Sequence, residues 1–325
     1  MRPGRPSRAL RGRRVKLLRF LFFRVLAGAL TVLGVVTFCF LALHLLPGDP
    51  TDSLLGETAT DADREALRHA LHLDRPLLAQ YALFLRDAFL RGMGPSFAHP
   101  EHSALREVAE VWPSTVALAL SSAAVGWAVA LPLALVASAR PGSRTDAAVG
   151  VLSLAGVALP TLYTGPLLIT LLCVTVPVLP FPGPDATGLS SLVLPSLTLG
   201  AGLAGMLTRM GRASLREVLL EPYITAARAR GLSEPAVLVR HGLRSALVPL
   251  LTVGGAQLSA LLGGALVTEK VFDRPGVGLL LLEALTRRDI PVVLAGVFVV
   301  AATAVVMQLL VDLAYAAVDP RIRVQ

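Results

Sequence analysis

An all-α membrane protein with six transmembrane helices is the fold this sequence predicts, on three observations. The 325 residues are 54% hydrophobic and only 16% charged, where a soluble domain carries roughly 25% charged residues. Six apolar stretches, the fourth of them short and glycine-rich, answer to the roughly 20 residues a helix needs to cross a bilayer. Arginine and lysine gather in alternate connections between those stretches, the asymmetry that sets topology in membranes.

The basic segment 1–24 holds nine of the 30 Lys and Arg residues and leads into a first span at 21–46. Arg24 falls near the start of the apolar run, from where its guanidinium snorkels to the headgroups. Basic residues before an apolar run also describe a signal peptide, but this run is too long for one. Pro47-Gly48-Asp49-Pro50 follows it in place of a small-residue cleavage pattern, so the helix is expected to be retained. The segment 47–113 is expected on the outer side. Asp61 caps a helix that runs to Leu73, and Leu77 to Leu90 forms a second amphipathic helix before Gly92, Gly94 and Pro95 break the pattern. The other spans are expected at 114–138, 149–176, 192–207, 246–268 and 292–317, within a core domain of residues 114–317, and residues 318–325 form a tail.

Twenty basic residues lie in 1–24, 139–148, 208–245 and the tail, and ten in the opposite connections. Those opposite connections hold Asp49, Asp61, Asp63, Asp74 and Glu107, so the positive-inside rule places both termini in the cytoplasm. The net charge of +8 does not point to nucleic acid, because the charges lie between apolar runs rather than along a soluble face. Cys39 and Cys173 fall inside apolar stretches and read as small core hydrophobes.

The chemistry that is missing narrows the function. The two lysines, Lys16 and Lys270, precede Leu17 and Val271, so the chain has no phosphate-binding G-x-x-x-x-G-K-[ST] loop. It lacks H-E-x-x-H, G-x-S-x-G and cysteine pairs at metal spacing, which removes support for an intramembrane enzyme. His69 and His72 lie three residues apart on the outer helix, but no third metal ligand accompanies them, and a solvated face is the better reading. Apart from Asp312 the spans are almost uncharged, which disfavours an ion-driven carrier with buried relays. For Asp312 itself, lining a pathway and packing the bundle remain open.

The loop 208–245 carries seven arginines and is built as helix, break, helix. Pro222 suits a first turn, Tyr223 to Arg230 is alanine-rich, Gly231 offers a left-handed stop, and Ser233 caps a helix with Pro235 near its start. Small Ala226 and Ala227 allow another protein to approach closely, while Arg228 and Arg230 offer charge. A basic loop serving topology alone is the alternative.

From Tyr223 through Ile224, Thr225, Ala226, Ala227, Arg228, Ala229, Arg230, Gly231 and Leu232 to Ser233, followed by Arg240-His241-Gly242-Leu243-Arg244, the loop resembles the coupling loop, called the EAA loop, of binding-protein-dependent ABC importer permeases. Leu46-Pro47-Gly48-Asp49-Pro50, Gly92 to Phe97, Glu269 to Gly278, Arg288-Asp289-Ile290-Pro291 and Asp319-Pro320-Arg321 extend the resemblance to the B-type permease of the dipeptide, oligopeptide and nickel group. Thr225 stands where the loop's name places glutamate.

The resemblance implies a type I importer transmembrane domain in the bacterial inner membrane. It implies a second homologous permease subunit, two ATP-binding subunits and an extracytoplasmic substrate-binding protein. No cofactor is then bound by this chain, and ATP with magnesium belongs to the ATPases. The coupling residues are Tyr223, Thr225, Ala226, Ala227, Arg228, Gly231, Leu232 and Ser233, and Glu269, Phe272, Gly276 and Asp312 are candidates for a pathway or gate. Peptides are the expected substrate, with nickel or glutathione as alternatives within the family. A stand-alone secondary carrier and a membrane-anchored receptor are the rivals outside it.

Overall fold

The computed structural model of the protein describes residues 8–45, 50–55, 59–183, 188–263 and 265–318. The expected Leu46–Asp49 motif and the tail beyond Val318 lie outside the described residues. The first helix, α1 (Arg8–Leu45), contains the crossing stretch Phe22–Leu45. Three short helices follow, α2 (Pro50–Leu55), α3 (Asp61–Ala70) and α4 (Leu77–Leu90). The cap of α3 is Thr60 rather than Asp61. Its hydroxyl accepts from the Asp63 N–H at 3.3 Å, and the Asp63 carboxylate accepts from the Thr60 N–H at 3.0 Å, a reciprocal capping box. The helix stops short of Leu73 because His72 adopts φ +57°, which helical backbone excludes.

α5 (Ala104–Ala139) begins well before the expected 114, because Ser103 caps it and Pro113 is carried inside the helix. The expected third span is broken into α6 (Arg144–Ala158) and α7 (Thr161–Ile169), with a π turn at Thr170–Thr175, and the two parts meet at 99°. Pro160 causes the break. It has no N–H to donate and pushes the residue before it out of helical conformation, and Leu159 is extended at φ −78°, ψ 117°.

α8 (Ser190–Leu219) runs far past the expected end at Leu207. Beyond it lie α9 (Pro222–Ala229), α10 (Glu234–Ala236), a π turn at Val237–Leu243 and α11 (Arg244–Leu262). The fifth span thus ends at Leu262 rather than 268, and Leu266–Val271 forms a separate helix, α12. α13 (Val277–Thr286) and α14 (Ile290–Val318) complete the chain. Among the described residues five helices are long and apolar enough to cross a membrane, and the bent α6–α7 pair passes the same test when its two parts are taken together. The start of α1 and the end of α14 define a near side, and α2–α4 lie on the far side.

α8 is the centre of the bundle. It runs parallel to α5 in steady register, with Ser121 hydrogen-bonded to Ser196 at 2.6 Å, Gly126 under Leu203 and Ala134 beside Gly211. α6 crosses its other face antiparallel, where a Cβ on Gly205 would lie 2.5 Å from the Ser153 carbonyl oxygen. α11 covers α8 and α5 through Leu250 and through Gly254, which faces the Trp127 ring. α14 joins this core to α1, where Gly28 meets Val305 and Phe40 packs on Leu294.

Gly205 is therefore a packing residue whose neighbour is unyielding backbone. Gly205→Val is expected to cost about 1–3 kcal/mol of stability through overpacking and to lower the thermal midpoint of the detergent-solubilised protein. Gly34→Ala, at a helical glycine with nothing within 4 Å, does not lower that midpoint.

Candidate functional site

On the near side the chain folds into a hairpin of helices between the end of α8 and the start of α11. Glu221 is extended at φ −67°, ψ 143°, and Pro222 follows in the first turn of α9, where no N–H is needed. The helix closes with the Arg230 N–H donating to the Ala226 and Ala227 carbonyls, each at 3.2 Å. Gly231 then turns the chain at φ +82°, the left-handed stop expected of it. Ser233 precedes α10 as expected, but its hydroxyl makes no capping hydrogen bond.

The two faces of α9 differ sharply. Ile224 and Ala227, three residues apart, are both fully buried with Val237, against Val218, Leu219 and Leu232. Tyr223, Thr225, Ala226, Arg228, Ala229 and Arg230 are exposed, as are Gly231 and Ser233. Ala227 thus does not offer itself to a partner. It fastens α9 to its own chain, and Ala226 is the small residue that faces out. Arg228 forks onto Glu234 with Nε–Oε1 at 2.8 Å and Nη2–Oε2 at 3.2 Å. The Tyr223 hydroxyl lies 2.9 Å from the Ser245 hydroxyl in α11.

A second cluster ties this hairpin to α6. Asp146 is buried and accepts hydrogen bonds from the Gly142 N–H at 3.0 Å, from Arg212 Nη2 at 2.5 Å and from Arg216 Nη2. An open groove of about 530 Å³, bounded by Ser138, Pro141, Asp146, Arg216, Arg228 and Glu234, separates the α5–α6 turn from α9. Sequence reasoning missed Asp146. Its place three residues after Ser143 is a legible helix-start pattern, and the Ser143 hydroxyl does accept from the Asp146 N–H at 3.2 Å. The arginines lie 66 and 70 residues away, so no local spacing announces them.

Of the four candidates for a pathway or gate, three come together on the far side. Glu269 is buried, with Thr115 Oγ1 donating to Oε1 at 3.0 Å and the Leu279 N–H to Oε2 at 2.9 Å. The Val277 N–H donates to Thr115 Oγ1 at 2.9 Å, which closes the network onto α5. A Cβ on Gly276 would lie 2.2 Å from the Glu269 carboxyl carbon, so this glycine makes room for the acid. Phe272 is buried beside Gly165 of α7. Within this chain the three residues pack against one another and against α5 and α7.

Asp312 stands apart in α14 and pairs with Arg24 Nε of α1 at 2.6 Å, while Gln308 Nε2 donates to it at 3.3 Å. Arg24 thus pairs across the α1–α14 seam instead of snorkelling alone. Asp289, also missed, is buried and receives Ser96 Oγ at 2.5 Å and the Ala98 N–H at 3.0 Å, which ties the outer segment to the start of α14. On the outer helices His69 pairs with Asp74 at 3.0 Å, and among the described residues no group of three His, Cys, Asp or Glu is arranged to hold a metal.

The family described as "Binding-protein-dependent transport system inner membrane component" matches residues 130–324, and its N-terminal counterpart matches residues 17–119. The chain belongs to this family. It is 38% identical to the glutathione transport system permease protein GsiC of Pectobacterium atrosepticum, over 94% of this chain and 99% of that protein. A Brucella ovis protein named "Putative peptide permease protein" is 34% identical over 95% of this chain and 100% of its own length. GsiC of Escherichia coli K12 is 36% identical over 94% of this chain and 99% of its own. The fold is similar to that of the MetNI methionine ABC transporter in inward-facing conformations, with TM-scores of 0.50 and 0.51 at 19% identity. The likeness covers 65% and 66% of this chain and 96% of each of those chains. This family of binding-protein-dependent permeases gives the hairpin and the helix bundle their setting in a multi-pass inner-membrane protein.

Burial pushes the Glu269 carboxyl above the ordinary carboxylate range, while the Leu279 N–H, the Thr115 hydroxyl, the Gly278 N–H and the Arg274 charge oppose the shift. A folded-state value above the unfolded one means that the native protein binds more protons, so stability rises as pH falls through the raised value. As the pH is lowered from neutrality toward the ordinary carboxylate range, the thermal midpoint of the wild type is expected to gain on that of Glu269→Gln. Parallel midpoints across that range would show that the buried acid does not titrate there.

Proposed function

We propose that the chain is one of two permease subunits of an ATP-driven importer for short peptides, glutathione included. In this reading the near side is cytoplasmic, as the basic residues of 1–24 and 208–245 require under the positive-inside rule. Separate ATPase subunits bind the ATP and magnesium, a substrate-binding protein delivers cargo on the far side, and this chain performs no covalent step. Substrate passes between the two permeases by alternating access.

The observation that carries the reading is α9. It presents Tyr223, Thr225, Ala226 and Arg230 to the near side on a short, capped helix whose inner face is fastened by Ile224 and Ala227. A displacement applied to such a helix reaches α8 and α11 rather than being absorbed in a loop. The names of the relatives favour peptides and glutathione over nickel. A stand-alone carrier would transport into vesicles with no ATP supplied, which separates that rival from the proposed one.

Ala226→Glu places a charge on the outward face and is expected to cut ATP-driven uptake about tenfold or more while leaving the amount of protein in the membrane unchanged. Ala227→Glu has a different outcome. It buries an unpaired carboxylate among Ile224, Val237 and Leu232, so membrane levels of the protein fall as well. Quantitative immunoblotting of membranes beside uptake of a labelled dipeptide checks both, and normal uptake by Ala226→Glu would remove α9 as the docking element.

A further inference from the structure

We infer that the groove between α1 and α14, in the near half of the membrane, binds an anionic phospholipid with its phosphate on Arg24 and one acyl chain along the groove. The groove has a volume of about 560 Å³. Arg24 stands at its mouth, and Ala27, Gly28 and Val35 of α1 line it together with Ala301, Ala304 and Leu309 of α14. It exists because the residues at the helix contact are small. Gly28 lets α1 come down onto Val305, and the neighbouring alanines leave the space above that contact unfilled. The walls offer an apolar surface. Thr31 spends its hydroxyl on the Ala27 carbonyl of its own helix at 2.9 Å, and Gln308 donates to Asp312 near the mouth.

Length and position argue for an acyl chain. Arg24 is the third residue of the crossing stretch Phe22–Leu45, which sets it at the near-side edge of the hydrocarbon. Val35 lies eleven residues further along α1, and Val297 lies eleven residues from Gln308 on α14. Each step is about 16 Å along a helix, close to half of a hydrocarbon core about 30 Å thick. Past Val35 the seam is shut, because Val36, Phe40 and Leu294 are buried against one another. A crossing helix of another subunit needs a furrow through both halves, whereas a lipid of one leaflet needs only this half. Charge selects the headgroup. Arg24 gives Nε to Asp312 at 2.6 Å, its side chain stays 42% exposed, and among the described residues its Nη groups meet no acceptor. Residues 1–24 hold nine Lys and Arg and no Asp or Glu, so Asp312 leaves this end of the groove in positive excess. Basic pockets between helices at this level take anionic lipid headgroups, and a guanidinium holds a phosphate in two parallel hydrogen bonds.

The test places the complete transporter in phosphatidylcholine vesicles that carry a trace of photoreactive lipid, either phosphatidylglycerol or phosphatidylcholine, with the same diazirine midway along one acyl chain. After irradiation, cross-links mapped by mass spectrometry are expected at Ala27, Thr31 and Ala304. Leu26, Leu30 and Leu33, on the opposite and exposed face of α1, are expected to react less. The phosphatidylglycerol probe is expected to label the groove about threefold or more above the phosphatidylcholine probe, the scale of one arginine near a membrane surface. Arg24→Gln combined with Asp312→Asn removes both charges without leaving either side chain alone, and is expected to make the two probes equal. Ala304→Phe fills the groove and abolishes its labelling. The comparison of probes on the wild type decides the outcome even where a variant fails to fold. Even labelling of both faces of α1 would mean contact with bulk lipid only and overturn the inference. Equal labelling of the wild-type groove by the two probes, or a preference that survives the double substitution, overturns the role of Arg24. An unlabelled groove, with Ala304→Cys cross-linking to the second permease, makes the groove a seam between subunits and overturns the inference as well.

Discussion

Helices in a bilayer gain little from burying apolar side chains that lipid does not already offer, so association depends on how closely their backbones approach. In this chain the approach is concentrated along α8. Gly200 meets Val125 of α5, Gly205 meets the α6 backbone, and Gly211 meets Ala134 of α5 and Leu250 of α11. Three neighbours are held at once only because α8 offers small residues in three directions.

The same helix connects the membrane interior to the near-side hairpin. The end of α8 supplies Val218 and Leu219 to the patch that holds α9, while Leu215 packs against Gly242 in the π turn that leads to α11. One turn deeper, Arg212 and Arg216 bind Asp146 at the head of α6. In the proposed coupling, a push on α9 therefore reaches α8, α11 and α6 through packed contacts and charge pairs rather than through any single wire. The π turn is a wider coil than the α-helices beside it, and such segments concentrate at functional positions.

What the sequence made legible followed from local chemistry. The first span, the Pro222 start, the Gly231 stop and the Leu77–Leu90 helix all depend on residues within a turn or two of one another, and they stand where expected. The errors have a common source in tertiary contact. The length of α8 reflects Arg212 and Arg216 reaching Asp146, which no window along the chain contains. The inward aim of Ala227 depends on Val237 and Val218 being opposite it. Asp312 was ambiguous alone, because its partner Arg24 lies 288 residues away at the other end of the chain. The broken third span was legible in principle from Pro160, but hydropathy averages across a break.

The two ends of the bundle are braced by different physics. On the far side Glu269 and Asp289 are buried carboxyl groups bonded to Thr115, Ser96 and backbone N–H groups. Breaking such a bond leaves a buried polar group without a partner, which is costly. On the near side the Arg228–Glu234 pair is well exposed, and Arg216 is 43% exposed where it meets Asp146. Exposed pairs exchange with water at little net cost, while Asp146, buried with Arg212, is the near-side pair that resists such exchange. The near side can therefore rearrange while the far side holds its shape. An importer driven from the near side needs that asymmetry, because the work of the ATPases must move the helix ends that face them before it moves anything else.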